Sequence, residues 1–161
     1  MNALGSAWFV DEVRWVKDAD EEIAALGSID PASTVLIDER YKAAMGDAKA
    51  IADPAANVTL DQYRTNELTY SVNSGSGSVV VFSEIWYGPD WQATIDGKPV
   101  EHVRADYVLR AMAVPPGEHT IVFKVKGDAY RTSQGIALAS SALLLLLVLG
   151  MVVIRSAQRI A

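Results

Sequence analysis

The sequence predicts a mainly β protein: an antiparallel β-sandwich with one or two short helices, followed by a single C-terminal transmembrane α-helix. Two observations support this prediction. Short runs in which apolar and polar residues alternate recur between residues 57 and 126, separated by turn residues, as in β-sandwiches. A continuous stretch of uncharged residues, 135–154, then follows near the C-terminus.

The amino-acid composition excludes several classes of protein and of functional site. The 161 residues include 20 Asp and Glu against 14 Lys and Arg, which gives a net charge of −6 and excludes a chain built to bind nucleic acid. Half of the residues, 50%, are hydrophobic, which is enough for one sizeable core. The chain has no cysteine, so disulfides, thiolate metal sites and thiol nucleophiles are excluded.

The first 56 residues, 1–56, are expected to form strands and short helices that pack on the sandwich. Apolar residues at 8–10, and an alternation that runs on to residue 15, predict strands. Asp18 or Asp20 is suited to cap a short helix. The pattern further predicts the end of that helix at Gly27, a brief strand at 35–37, a short helix at 39–45 closed by Gly46, and a connector at 47–57.

Residues 57–134 are predicted to form the sandwich itself. Residues 67–72 alternate so that one face of the strand is buried and the other faces water. Asp96-Gly97 predicts a tight hairpin turn, because both residue types tolerate positive φ. Further strands are predicted at 78–86, 91–95, 100–104, 107–114 and 121–126, with a flexible loop at 74–78 and a tight turn at 115–117.

Residues 135–154 predict a transmembrane helix, because a helix of that length at about 1.5 Å per residue spans the roughly 30 Å hydrocarbon core of a bilayer. The alternative is a buried core helix, but such helices rarely lack a polar face over this length. Residues 155–161 form a short basic tail, which suits a cytoplasmic end. Basic residues between 124 and 131 also flank the helix, so local charge leaves the orientation open. The lipid bilayer is therefore an expected partner, held close by the short linker 127–134.

No metal site and no cofactor are predicted. His102 and His119 are interpreted as strand-surface residues, because neither has a carboxylate or histidine at ligand spacing. No serine lies in a nucleophile-elbow pattern, and no glycine-rich loop opens a helix to bind phosphate.

No catalytic residue is predicted either. Asp90, Asp96, Glu101 and Asp106 cluster around one hairpin, and a pair of facing carboxylates would suit glycosidase-type chemistry. Asp96 is already explained by its turn, however, and charged loop residues are usually solvated. We therefore interpret these acids as surface residues.

Four aromatic residues close to this hairpin are the candidate binding site. Flat rings on a β-surface hold sugar rings by stacking, so Trp86, Tyr87, Trp91 and Tyr107 are predicted to contact carbohydrate. The alternative is that Trp91 shares a buried face with Ala93 and is part of the core, and that Trp86 ends a buried strand.

The run from Phe82 to Val125 resembles the C-terminal signature of the YfhO family of bacterial polytopic membrane proteins. The opening residues and the first helix are similar to the form that this family takes in Bacteroidetes. With the closing apolar helix, the resemblance spans essentially the whole chain. The matching positions of the signature are Tyr87, Pro89, Trp91, Asp96, Gly97, Lys98, Arg104, Asp106, Tyr107, Val114, Pro116, Gly117, Glu118 and His119. Asp90 departs from it, because a small or polar loop residue is usual there.

The resemblance implies that this chain corresponds to the last part of a longer protein. That protein would be a glycosyltransferase of the GT-C class, which transfers sugars from a lipid carrier to cell-envelope polymers outside the bacterial cytoplasmic (inner) membrane. Its catalytic acids would lie in a missing N-terminal transmembrane region, so none is assigned here. The β-domain would be extracytoplasmic, with that N-terminal region and a glycan or lipid-linked sugar as partners.

Two further interpretations stay open. One is a stand-alone membrane-anchored module that binds carbohydrate or protein. The other is an interaction subunit whose exposed sheet edge or N-terminal strand pairs with another chain.

Overall fold

The computed structural model describes residues 4–46, 50, 53–88 and 90–158. The chain divides into a β unit, which ends at Lys126, and a helical unit, which begins at Gly127. Arg159, Pro89 and five residues of the predicted connector, 47–49 and 51–52, lie outside the described residues.

The β unit contains eleven strands among its described residues, together with two short α-helices. The first part of the chain forms β1 (Ala7–Val10), β2 (Glu12–Val16), α1 (Ala19–Ala25), β3 (Thr34–Asp38), α2 (Lys42–Met45), β4 (Asn57–Arg64) and β5 (Glu67–Ser74). The second part forms β6 (Ser78–Phe82), β7 (Trp91–Ile95), β8 (Lys98–Val100), β9 (Val103–Ala105), β10 (Leu109–Val114) and β11 (Gly117–Val125). Single 3-10 turns follow α1 and precede α2, at Leu26–Ser28 and Glu39–Tyr41.

The strands form two sheets, which confirms the predicted mainly β fold. One sheet has six strands in the order β1-β6-β10-β9-β3-β2, and the other has five in the order β4-β5-β11-β7-β8. The N-terminal residues are therefore strands of the sandwich itself and not a separate segment packed on it. All pairings in the described chain are antiparallel except that of β2 with β3, which is parallel. The antiparallel prediction is wrong for this pair, because α1 provides the crossover that a parallel pair requires.

The main core lies between the two sheets. Tyr70, Phe82 and Phe123 meet there edge to face, with Phe82 and Phe123 ring centroids 4.9 Å apart. Strand β6 is buried on both faces, because a second core covers the outer face of the six-stranded sheet. This explains its continuous apolar sequence, which is typical of a strand buried on both sides.

Four predicted strands differ from those in the structure. The strand predicted at 107–114 begins at Leu109, because Tyr107 has positive φ, and the one predicted at 121–126 is Gly117–Val125. The strand predicted at 78–86 ends at Phe82, so residues 83–88 form a loop. The return strand predicted at 100–104 is two strands, because the chain leaves the five-stranded sheet at Val100 and enters the six-stranded sheet at Val103. The predicted Asp96-Gly97 hairpin is confirmed, with φ of 51° and 77° at the two residues.

The helical unit consists of α3 (Asp128–Gln158), 31 residues long. Its segment Thr132–Gly150 has a mean hydropathy of 1.9 and none of it is buried in the protein, so the described chain has one helix long and apolar enough to cross a membrane. The Ser141 hydroxyl donates to the Ala137 carbonyl at 2.8 Å, which satisfies a polar group within the apolar stretch. The predicted linker 127–134 is helical from Asp128, and the start of the predicted tail continues the helix to Gln158.

Candidate functional site

A cavity of about 540 Å³ opens beside the hairpin of β7 and β8. Its wall combines these two strands with the Glu101-His102 crossover to the other sheet, and Tyr41 and Lys126 complete it. The cavity exists because the chain changes sheets at this point, which leaves the edge of the five-stranded sheet without a further strand. A volume of this size lies in the range of small-molecule sites.

Trp91 begins β7 and forms an aromatic part of the cavity wall. The guanidinium carbon of Arg110 lies 4.4 Å from the centroid of a Trp91 ring. Arg110 is only 2% exposed, and its Nε donates to the Ile85 carbonyl at 2.9 Å. Burial lowers the pKa of Arg110, which is nevertheless a strong base. The guanidinium of Arg110 therefore packs against the indole of Trp91 and holds it in place.

His102 is a wall residue and not the strand-surface residue that was predicted. Its ring packs edge to face on Phe123 with centroids 5.4 Å apart. Burial, together with the charge of Arg110, lowers the pKa of His102 to about 4, so the ring is neutral at physiological pH. Its Nε2 is buried and has no hydrogen-bond partner among the described residues.

The structure separates the four predicted aromatic residues into two pairs. Trp91 lines the cavity, and Trp86 lies next to it, because its ring contacts Tyr41 at 6.3 Å between centroids. Tyr87 is 56% exposed, and Tyr107 is 37% exposed with its ring stacked by Arg104. Neither tyrosine lines the cavity.

Gly88 lies directly against the ring of Trp86. A Cβ atom at residue 88 would lie 2.5 Å from Cζ2 of Trp86, closer than real Cβ contacts. Gly88 also lines the cavity. The tryptophan ring therefore occupies the space that a side chain at this position would need.

Two buried acids near the tyrosines were not recognised from the sequence. Glu22, an acid in the first turn of α1, is fully buried and forms an ion pair with Arg104 at 2.6 Å. Its other oxygen accepts a hydrogen bond from the Tyr107 backbone N–H at 2.8 Å. The interpretation of Asp106 as a solvated loop residue is wrong: it is 6% exposed and accepts from the Leu36 N–H at 2.8 Å. Burial raises the pKa of Asp106 to about 6.

Asp96 and His119 form an ion pair at the hairpin turn. His119 Nδ1 lies 2.6 Å from Asp96 Oδ2, and its Nε2 lies 3.1 Å from the Pro116 carbonyl. The hydrogen bond to Asp96 raises the pKa of His119, and that of Asp96 is lowered first by the Thr120 N–H and then by His119. Because both imidazole nitrogens have partners, this pair fixes the turn. Among the described residues no group of His, Cys, Asp or Glu is arranged to hold a metal ion.

A comparison with protein families shows to which family the chain belongs. Residues 36–136 match the family described as bacterial membrane protein YfhO, which covers more than half of the chain. The chain belongs to the YfhO family. The match extends from β3, through the rest of the β unit, into the first turns of α3, so the YfhO region includes the cavity and both pairs of aromatic residues. No curated protein and no solved structure matches the chain.

Proposed function

We propose that this chain is the extracytoplasmic β-domain and last membrane helix of a YfhO-like protein of the bacterial cytoplasmic membrane. In this proposal the domain assists the transfer of sugars from a lipid carrier to cell-envelope polymers by holding a sugar in the cavity, and it makes no bonds itself. The observation that carries the proposal is the indole of Trp91, fixed by buried Arg110 in the wall of a cavity of about 540 Å³.

The chemistry of the cavity wall suits a sugar. A sugar ring has C–H groups on its faces and hydroxyls at its edge, so a site needs an apolar plane with polar groups around it. Trp91 supplies the plane, and Glu101, His102 and Lys126 supply acceptors and donors. His102 adds no charge to the wall, because burial lowers its pKa to about 4 and keeps the ring neutral.

The same wall favours binding over catalysis. Hydrolysis or transfer at a glycosidic carbon commonly uses two carboxyl groups facing each other. Glu101 is the single acid among the described residues that line the cavity. We therefore assign acceptor or donor positioning to this domain and place the chemistry elsewhere in the parent protein.

The connection to the membrane helix favours a lipid-linked sugar as the ligand. Lys126 lines the cavity, and α3 begins only two residues later, at Asp128. A sugar attached to a lipid carrier is itself confined to the bilayer surface, and a short tether keeps the domain at that surface.

The test is sugar binding by the full chain in lipid nanodiscs. Saturation-transfer NMR with methyl glycosides of glucose, galactose and N-acetylglucosamine, and with undecaprenyl-phosphate-linked hexose, is expected to show contact with at least one. Trp91→Ala should weaken that binding by about tenfold or more, since loss of one stacked ring costs on the order of 1–2 kcal/mol.

The matched control is Tyr63→Ala. Tyr63 is an aromatic residue on β4 that is 67% exposed and does not line the cavity. Circular dichroism should show that both variants are folded. Equal binding by the two variants, or no binding of any of these sugars by the unmodified chain, would contradict the proposal.

A further inference from the structure

Four of the seven large apolar side chains that are exposed among the described residues of the β unit lie on two loops. Ile85, Tyr87, Tyr107 and Val108 are 70%, 56%, 37% and 47% exposed. The loops that carry them are joined by a hydrogen bond of 2.7 Å from the Trp86 N–H to the Val108 carbonyl. We call these four side chains, which lie on two joined loops, the loop patch. Exposed apolar surface of this kind marks sites of interaction.

The loop patch is held in place by the buried acids beneath it. Asp106 and Tyr107 both have positive φ, 46° and 69°, a conformation that residues other than glycine rarely adopt. The Asp106 carboxylate accepts from the Leu36 N–H, and Glu22 accepts from the Tyr107 N–H. Buried hydrogen bonds thus maintain a strained turn that points an aromatic and an aliphatic side chain into solvent.

The loop patch is joined to the end of the β unit from which the chain continues into α3. The N–H of Lys126 donates to the Asp90 carbonyl at 2.7 Å, and the N–H of Trp91 donates to the Tyr87 carbonyl at 3.3 Å. The loop that carries Ile85 and Tyr87 is therefore hydrogen-bonded to the last residue of the β unit. The apolar helix begins at Asp128.

We propose that the loop patch inserts into the interfacial region of the lipid bilayer that holds α3. A bilayer is the surface to which the chain itself is tethered, and tyrosine prefers the boundary between lipid and water, where its ring is apolar and its hydroxyl wet. The charged residues at the patch carry no excess of positive charge. Arg104 is paired with Glu22, and the exposed Lys126 is offset by Glu84 and Asp90 on the loop that carries Ile85. The apolar side chains alone drive the insertion, so it does not require anionic lipid.

The absence of cysteine from the chain allows a direct test. Single cysteines introduced as Tyr87→Cys and Val108→Cys are labelled with a nitroxide in the full chain, in nanodiscs of phosphatidylcholine alone. Asn57→Cys, at an exposed position on β4 and at the opposite end of the five-stranded sheet from Val125, is the matched control. Electron paramagnetic resonance then compares collisions with oxygen, which concentrates in lipid, and with nickel ethylenediaminediacetate, which stays in water.

The expected result is that labels at positions 87 and 108 collide more with oxygen than with the nickel complex, and that the label at 57 shows the reverse. Adding phosphatidylglycerol should leave these ratios unchanged. Collision ratios at 87 and 108 equal to that at 57 would overturn the proposal. Labels shielded from both reagents would also overturn it, and would assign the patch to contact with protein. The two labelled positions lie on different loops, so misfolding of one variant leaves the other informative.

Discussion

Trp91 and Tyr107 show two ways of fixing an aromatic residue. Trp91 is held through its side chain, because the guanidinium of Arg110 lies against its ring. Tyr107 is held chiefly through its backbone, whose N–H donates to buried Glu22, and its ring is partly exposed. Trp86 is similar to Trp91, because its ring contacts another side chain, that of Tyr41. Tyr87 is similar to Tyr107, because its backbone carbonyl accepts a hydrogen bond from the Trp91 N–H while its ring is 56% exposed. Contacts to the ring hold the side chain itself in place, whereas hydrogen bonds to the backbone leave the side chain exposed to solvent.

The largest effect is expected when the support of the Tyr107 backbone is removed. Glu22→Ala leaves the partly buried Arg104 and the Tyr107 N–H without their acceptor, and should lower the free energy of unfolding by about 3 kcal/mol. Urea denaturation monitored by circular dichroism measures this loss. Asp20→Ala, at an exposed acid on the same helix, should cost about 0.5 kcal/mol. Similar losses for the two variants would show that Glu22 does not hold the turn.

The second largest effect is expected in the pH dependence of the free energy of unfolding, which Asp106 causes. Its pKa is raised from 3.8 to about 6, so the folded state binds this proton more tightly than the unfolded state does. The free energy of unfolding should therefore fall by on the order of 2 kcal/mol as the pH rises from about 4 to about 6.

Asp106→Asn is the matched variant, because its amide oxygen retains the acceptor for Leu36 and does not titrate. Urea denaturation from pH 4 to 7.5 measures the free energy of unfolding of both proteins. The difference between them should change with pH by the amount expected for Asp106. A difference that does not change with pH would contradict the assignment.

The third largest effect is expected when a side chain at residue 88 displaces the ring of Trp86. Gly88→Ala introduces a Cβ 2.5 Å from the Trp86 ring and should displace that ring, at a cost of about 1–2 kcal/mol. The Trp86 indole N–H resonance should shift, and sugar binding should weaken. Gly75→Ala is the control, because its Cβ would meet only an ordinary contact at 3.5 Å. An unchanged Trp86 resonance in Gly88→Ala would show that the ring does not depend on the glycine.

The smallest effect is expected in the loop patch. Ile85→Ser should change the free energy of unfolding by less than about 0.5 kcal/mol, because the side chain is 70% exposed. Differential scanning calorimetry in detergent compares it with the unmodified chain. A loss as large as that of a core substitution would mean that Ile85 stabilises the fold and is not free for another surface.

Local patterns predict most of the strands and the long helix. Alternation has a period of two, so residues 67–72 specify both a strand and its buried face. The parallel pairing of β2 with β3 is not local, because it depends on where α1 crosses the sheet. The change of sheet at residues 101 and 102 is likewise invisible, since the alternation continues through it.

Of the four aromatic residues predicted for the candidate site, Trp91 is the one that lines the cavity in the described part of the chain, and its contact with carbohydrate stays a prediction. The residues that support it were missed, since burial of a charge depends on distant partners. A signal for Arg110 was present: it interrupts the apolar run of β10, 109–114, at a position whose neighbours are buried. Asp106 offered no such signal, because its partner Leu36 is 70 residues away.

The central claim is that a YfhO β-domain works outside the cytoplasmic membrane while α3 anchors it. The direct measurement places Tyr63→Cys in the gene of the bacterium that makes this protein and treats intact cells with a maleimide that cannot cross the membrane. Tyr63 is suitable because it is 67% exposed on β4. We predict that the cysteine is labelled in intact cells as fully as after lysis. Labelling that appears only after lysis would place the domain in the cytoplasm and contradict the account.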